Sequence, residues 1–147
     1  MKCVVYLSEA NFEATTPNLL ELAQRAAIKN KSLGVTGFLC FSRGRFLQYL
    51  EGEEEVLQNL LEEIREDMRH ELMFELEPAI IEKPLFSSWA MRLITEQELD
   101  KFNFELQIEQ NLLYIKNDYW FKERCDQYIW QHITQMAKLK KYLDIYS

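Results

Sequence analysis

Glycine is scarce in this chain, with four among 147 residues. Phosphate-cradling loops of the Walker or dinucleotide type concentrate several glycines in one short stretch, and no such stretch exists here. Histidine is scarcer still. His70 and His132 are the two available, so a Ser-His-Asp or Cys-His catalytic site would have to use one of them. Cys3, Cys40 and Cys125 are odd in number and widely spaced, which suits a reducing cytoplasm and neither a disulfide framework nor a zinc site. No apolar run approaches the roughly 20 residues that span a bilayer. Met1-Lys2-Cys3-Val4-Val5-Tyr6 leads straight into a strand-like segment, without the plan of a signal peptide. Basic residues number 17 against 24 acidic ones, a formal charge of −7, which argues against nucleic acid or an anionic membrane as partner.

What is present is apolar material, 48% of the chain, enough for one domain with a core and an appendage. Residues 2–8 read as a buried strand. Thr16-Pro17 supplies an N-cap and a first-turn proline for a helix reaching about Asn30, with Leu19, Leu22, Ala23, Ala26 and Ala27 as its apolar face. Strands over about 35–42 and 45–51 flank Ser42-Arg43-Gly44-Arg45, a tight hairpin turn. A helix over about 53–67 carries Val56, Leu57, Leu60, Leu61 and Ile64 as its stripe. A strand near 72–82 and a last strand over 86–94 complete the order β-α-β-β-α-β-β. That order predicts an α+β, ferredoxin-like sandwich: a five-stranded mixed sheet with two helices on one face. The expected boundary lies at residue 97. Residues 98–147 read as a C-terminal helical extension, with helices over about 104–117 and 119–144 and an aromatic segment at Tyr119-Trp120-Phe121.

Period-two alternation places Val4, Tyr6 and Ser8 on one strand face, and Phe46, Gln48 and Leu50 on another. If the strands are neighbours, the Tyr6 hydroxyl meets the Gln48 amide. Gln48 is conspicuous because an amide left unpaired among apolar residues costs about 1–3 kcal/mol. A core tyrosine and an edge glutamine satisfying each other is the plain alternative. Lys29-Asn30 reads either as a helix C-cap or as a pair that binds a ligand's polar edge. Asp67-Met68-Arg69-His70 reads either as a solvated turn or as a forked donor, a ring donor and an acceptor for a phosphate or hydroxylated tail. Trp89 and Met91 alternate on the expected last strand, as core packing or as a switch beside a ligand. Glu51-Gly52-Glu53-Glu54-Glu55 reads as an acidic helix start favoured by the dipole.

Val5-Tyr6-Leu7-Ser8, Asn30, Gly34-Val35-Thr36-Gly37-Phe38-Leu39, Phe46-Leu47-Gln48-Tyr49-Leu50-Glu51-Gly52, Asp67-Met68-Arg69-His70 and Trp89-Ala90-Met91 occur together in one order and spacing. In these segments, residues 1–95 resemble the BLUF domain, a blue-light sensor that uses flavin. The resemblance implies non-covalent FAD held between the two helices. It makes Tyr6 the photoactive tyrosine and Gln48 the glutamine between that tyrosine and the flavin. Asn30 matches the amide on the flavin's carbonyl edge, while Lys29, Asp67, Arg69 and His70 match positions along the ring, ribityl chain and phosphate mouth. Trp89 and Met91 match a pair that can trade places near Gln48. Glu63, four residues before Asp67, departs from relatives that are basic there.

The resulting expectation is a short stand-alone photoreceptor and not an enzyme. It would signal through protein–protein contact with an unidentified partner, as a homo-oligomer. The competing readings are a flavin-binding regulatory module without photochemistry and a ferredoxin-like enzyme, which would need a substrate cavity and a competent base.

Overall fold

The structure is a computed structural model that describes residues 1–95, 97, 98 and 103–145. It divides into two compact units, Met1–Ile94 and Thr95–Ser147. The expected extension from residue 98 includes 99–102 and 146–147, which lie outside the described residues.

The first unit is an α+β sandwich. Its elements are β1 (Lys2–Ala10), α1 (Thr16–Leu33), β2 (Thr36–Ser42), β3 (Arg45–Gly52), α2 (Glu54–Glu66), β4 (His70–Glu75), β5 (Ala79–Ile80) and β6 (Arg92–Ile94). The strand order is β4-β1-β3-β2-β6, with β5 also pairing β1. All pairings are antiparallel except β2 with β6, which is parallel. The expected mixed sheet is therefore present, and a short extra strand adds to it.

Several local expectations are corrected. The N-cap of α1 is Thr15, not Thr16: Thr15 is extended and its hydroxyl accepts from the Asn18 N–H. Pro17 then falls in the first turn, where it costs no internal hydrogen bond. The helix continues past Asn30 to Leu33. Gly34 stops it at φ 70°, donating its N–H to the Asn30 and Lys31 carbonyls, a left-handed cap that glycine adopts without a Cβ penalty. Lys29 and Asn30 are thus body residues of α1, and Asn30 is buried. The expected strand over 72–82 is broken between Glu75 and Ala79, across Pro78, because proline has no N–H to give a ladder. Its two pieces pair with opposite ends of β1. The expected strand over 86–94 shrinks to Arg92–Ile94; residues 86–91 bond to side chains and turns instead.

The hairpin turn is as expected. Arg43 and Gly44 both take positive φ between the paired Ser42 and Arg45, the two-residue loop that matches strand twist. Gly37 is demanded by space, because a Cβ there would lie 1.9 Å from the Tyr49 carbonyl oxygen.

One sheet face packs on both helices. Val4, Leu39, Phe46 and Leu50 meet Leu57, Leu60 and Leu61 of α2, with Leu22 and Ala26 of α1 against the same cluster. Truncating such a leucine to alanine costs about 2–5 kcal/mol. The alternate positions Val5, Leu7, Phe38, Leu47 and Tyr49 are equally buried on the other face.

In the second unit, α3 (Phe104–Lys116) and α4 (Lys122–Ile145) pack on one another. Ile108, Leu112, Ile129 and Ile133 are fully buried. Tyr114, Tyr119 and Phe121 form an aromatic elbow at their junction, with ring centroids 5.3–5.6 Å apart. No helix among the described residues is long and apolar enough to cross a membrane.

Candidate functional site

A cavity of about 420 Å³ opens in the first unit between α1, α2 and the sheet. Such a volume suits a small-molecule site. Its walls are apolar: Leu22 and Ala26 from α1, Leu60 and Ile64 from α2, and Leu39, Phe46 and Leu50 from the sheet. Polar groups enter at chosen places. Tyr6, Lys29, Asn30, Gln48, Asp67, Arg69 and His70, all singled out in the sequence, line this one cavity. Trp89 and Met91 do not.

Tyr6 and Gln48 are register partners in the antiparallel β1–β3 pair. The Tyr6 hydroxyl donates to Gln48 Oε1, and Gln48 Nε2 donates to Met91 Sδ at 3.4 Å. Both ends of the amide are therefore engaged. Burial pushes the Tyr6 phenol up, with the nearby Asp67 and Glu75 charges adding to the effect. The phenol is thus held as a neutral hydrogen-bond donor.

Asn30 Nδ2 donates to the Ala90 carbonyl at 3.0 Å, tying α1 to the residues before β6. His70 lies edge-on to Tyr6, with ring centroids 6.0 Å apart. Its Nε2 faces the Ile64 carbonyl at 2.6 Å and its Nδ1 faces Ser8 Oγ at 2.8 Å. A carbonyl only accepts, so Nε2 donates to Ile64, while Nδ1 and the Ser8 hydroxyl share the second hydrogen bond.

Charges gather at the mouth. Arg69 clasps Asp67 through Nε at 3.0 Å and a terminal nitrogen at 2.5 Å. That contact holds the Asp67 carboxyl down at about 2. Lys29 of α1 pairs with Glu63 of α2 across the opening. Arg25 also lines the cavity, next to Glu21 at 2.7 Å. It was missed in the sequence, although its four-residue spacing from Lys29 puts both on one helix face.

Trp89 and Met91 part company. Met91 joins the core on the helix side and meets Gln48. Trp89 stacks on Phe86 at 5.3 Å, and Phe86 packs edge-on to Phe38 and Tyr49 at 5.2 Å. Tyr49 alternates with Gln48 along β3, so this aromatic cluster occupies the sheet face turned away from the cavity. Among the described residues no His, Cys, Asp or Glu group could hold a metal ion.

Residues 1–92 match the family described as sensors of blue light using FAD. The chain is 35% identical over 94 residues to the photoactivated adenylate cyclase subunit beta of Euglena gracilis, covering 63% of this chain and 11% of that protein. It thus spans about a tenth of the length of that relative. Among solved structures, it is similar to BlrP1 of Klebsiella pneumoniae in its manganese and cyclic-diGMP complex, with 34% identity and a TM-score of 0.60 over 65% of this chain and 24% of that one. BlrB, a BLUF protein in its dark state, shares the fold at 19% identity, with a TM-score of 0.70 over 92% of this chain and 96% of that one.

Proposed function

The chain belongs to the BLUF family, the sensors of blue light using FAD, and from that premise we propose that its cavity binds FAD and that Tyr6 and Gln48 carry its photochemistry. The supporting observation is the continuous contact from the Tyr6 hydroxyl through both ends of the Gln48 amide to Met91, beside the cavity.

The residues fit a flavin. Its ring is a flat, mostly apolar plate with one polar edge. The cavity offers apolar walls from two helices, with the buried amides Asn30 and Gln48 on one side. Asn30 would bind the carbonyl edge, and His70 and Asp67 the ring and ribityl hydroxyls. Lys29 and Arg69 would meet phosphate at the mouth, where Arg25 adds a further cation. FAD is the flavin that the family description names.

A bound flavin would supply an oxidant on excitation by blue light, and Tyr6 would be the electron donor beside it. Tyr6 releases its phenolic proton along the existing hydrogen bond to Gln48, so charge does not accumulate on a buried phenol. Return of both restores Tyr6. Gln48 is left rotated or tautomerised, with its donor and acceptor ends redistributed. One rearranged hydrogen bond is worth about 1 kcal/mol net, enough to bias an element already near balance. The element next to Gln48 is the Met91 segment, which continues into β6.

The family is one of sensors and not of enzymes. The signal passes by protein–protein contact to a partner of unassigned identity, in the cytoplasm and within a homo-oligomer. The sensor occupies residues 1–97 and a helical output extension follows; a division into two compact units, three residues earlier at Ile94, supports a two-part chain.

The test is a light-minus-dark absorption spectrum of the full chain purified in darkness with FAD. The expected result is a small, reversible red shift that Gln48→Ala abolishes. An intact photocycle in Gln48→Ala would overturn the mechanism.

A further inference from the structure

We propose that Glu51 is a positioning residue whose buried carboxylate fixes the start of segment 85–91, and so seats Met91 rather than Trp89 against Gln48. The inference rests on the reading of Gln48 given above and adds a residue on the opposite face of the sheet.

Glu51 belongs to β3, paired to Cys3 of β1 and Thr36 of β2. It is 1% exposed. A carboxylate so buried must be compensated by donors, and four are in place. Thr36 Oγ1 donates at 2.9 Å and the Tyr49 hydroxyl at 2.9 Å. The backbone N–H groups of Leu85 and Phe86 donate at 2.9 and 3.0 Å, one to each carboxylate oxygen. Two donors thus belong to the sheet and two to consecutive residues of the connection. All four are uncharged.

The connection depends on this grip because residues 85–91 belong to no strand. Their remaining fixed points follow in order. The Phe86 ring packs on Phe38 and Tyr49. Trp89 donates its N–H to the Phe86 carbonyl at 2.9 Å and accepts from the Gly37 N–H at 2.8 Å. Ala90 accepts from Asn30, and Met91 from Gln48. Trp89 and Met91 stand two residues apart, so a slip of two residues would exchange them at the sheet edge. Each Glu51 oxygen holds one of two adjacent N–H groups, which fixes which residue arrives at Gln48. Glu51 lies three positions after Gln48 on the same strand. The amide and the carboxylate therefore grip one segment from opposite faces of the sheet.

The test is Glu51→Gln in the flavin-bound full chain. The replacement keeps the size, removes the charge and turns an NH₂ toward two of the donors. Trp120→Phe and Trp130→Phe leave Trp89 as the single tryptophan. With Glu51 intact, Trp89 should resist acrylamide quenching, since it is 4% exposed. Glu51→Gln should raise the quenching constant by about twofold or more under native conditions. It should also change the rate of dark recovery by about threefold or more, and this change should vanish in a Met91→Leu background. If Glu51→Gln fails to fold, Thr36→Val removes one donor, keeps the carboxylate, and should move both readouts the same way by less. Unchanged Trp89 quenching, or equal recovery changes with and without Met91, overturns the inference. A purely structural role would lower the melting temperature and leave both readouts in place. A wild-type chain with no light shift would overturn the photochemical reading instead, and Trp89 quenching would still decide the role of Glu51.

Discussion

Gln48 and Met91 meet as donor and acceptor, with the amide nitrogen 3.4 Å from the thioether sulfur. The amide oxygen at the same time accepts from Tyr6. This pairing selects one orientation of a group that could sit either way round. A thioether accepts weakly and cannot donate. Rotating the amide would turn its oxygen onto the sulfur lone pairs.

Met91→Leu removes that preference. A weak hydrogen bond of this kind is worth about 0.5–1 kcal/mol, or roughly two- to fivefold in a rate. The light-adapted state should live longer by about that factor, with the absorption shift retained. Recovery followed in the dark after a blue flash measures it, and faster recovery would contradict the orientation argument.

Tyr6→Phe should keep flavin binding and lose the light-induced shift. It also leaves buried Gln48 Oε1 without its donor, so the dark protein should lose about 1–3 kcal/mol of stability. Urea melts in darkness measure the stability and difference spectra the shift. A full-sized shift in Tyr6→Phe would remove Tyr6 from the mechanism.

Gly37→Ala should cost about 3 kcal/mol or prevent folding, since the new methyl meets a backbone carbonyl at 1.9 Å. The strand must move, and with it the Gly37 N–H that holds the Trp89 carbonyl. Gly34→Ala should cost only about 1–2 kcal/mol, from left-handed strain with open space around it. Equal thermal melts for the two variants would refute the distinction.

Alkaline stability follows from buried acids on both sheet faces. Burial pushes the Cys3 thiol up to about 11 and raises the phenols of Tyr6 and Tyr49. In the unfolded chain these groups ionise near pH 8.5 and 10. Their contribution to stability is thus complete below about pH 8.5. It declines as pH rises, because the unfolded state then releases protons that the folded state retains. Urea midpoints should fall between pH 9 and 11, and Cys3→Ala should flatten the first part of that decline. An unchanged slope in Cys3→Ala would assign the alkaline loss elsewhere.

The sequence by itself determined the sandwich and most of the polar residues at its cavity. Period-two alternation puts Tyr6 and Gln48 on matching faces, and α2's leucine stripe needs only local geometry to be read. The Asp67–His70 turn was legible for a similar reason, because an apolar helix ends where polar residues cluster. What tertiary structure decided was everything set by partners distant in the chain. Asn30 reads as a cap until Gly34 takes that role and Ala90 claims the amide. Residues 86–91 read as a strand because their alternation is strand-like, but their hydrogen bonds go to Glu51, Gly37 and Asn30. Glu51 reads as part of an acidic helix start with Glu53, Glu54 and Glu55. It is buried because β3 runs through it to Gly52 and brings four donors around its carboxylate. The choice between Trp89 and Met91 was invisible for the same reason: two residues of similar hydrophobicity alternate alike, and only the anchoring of the segment determines which one reaches Gln48.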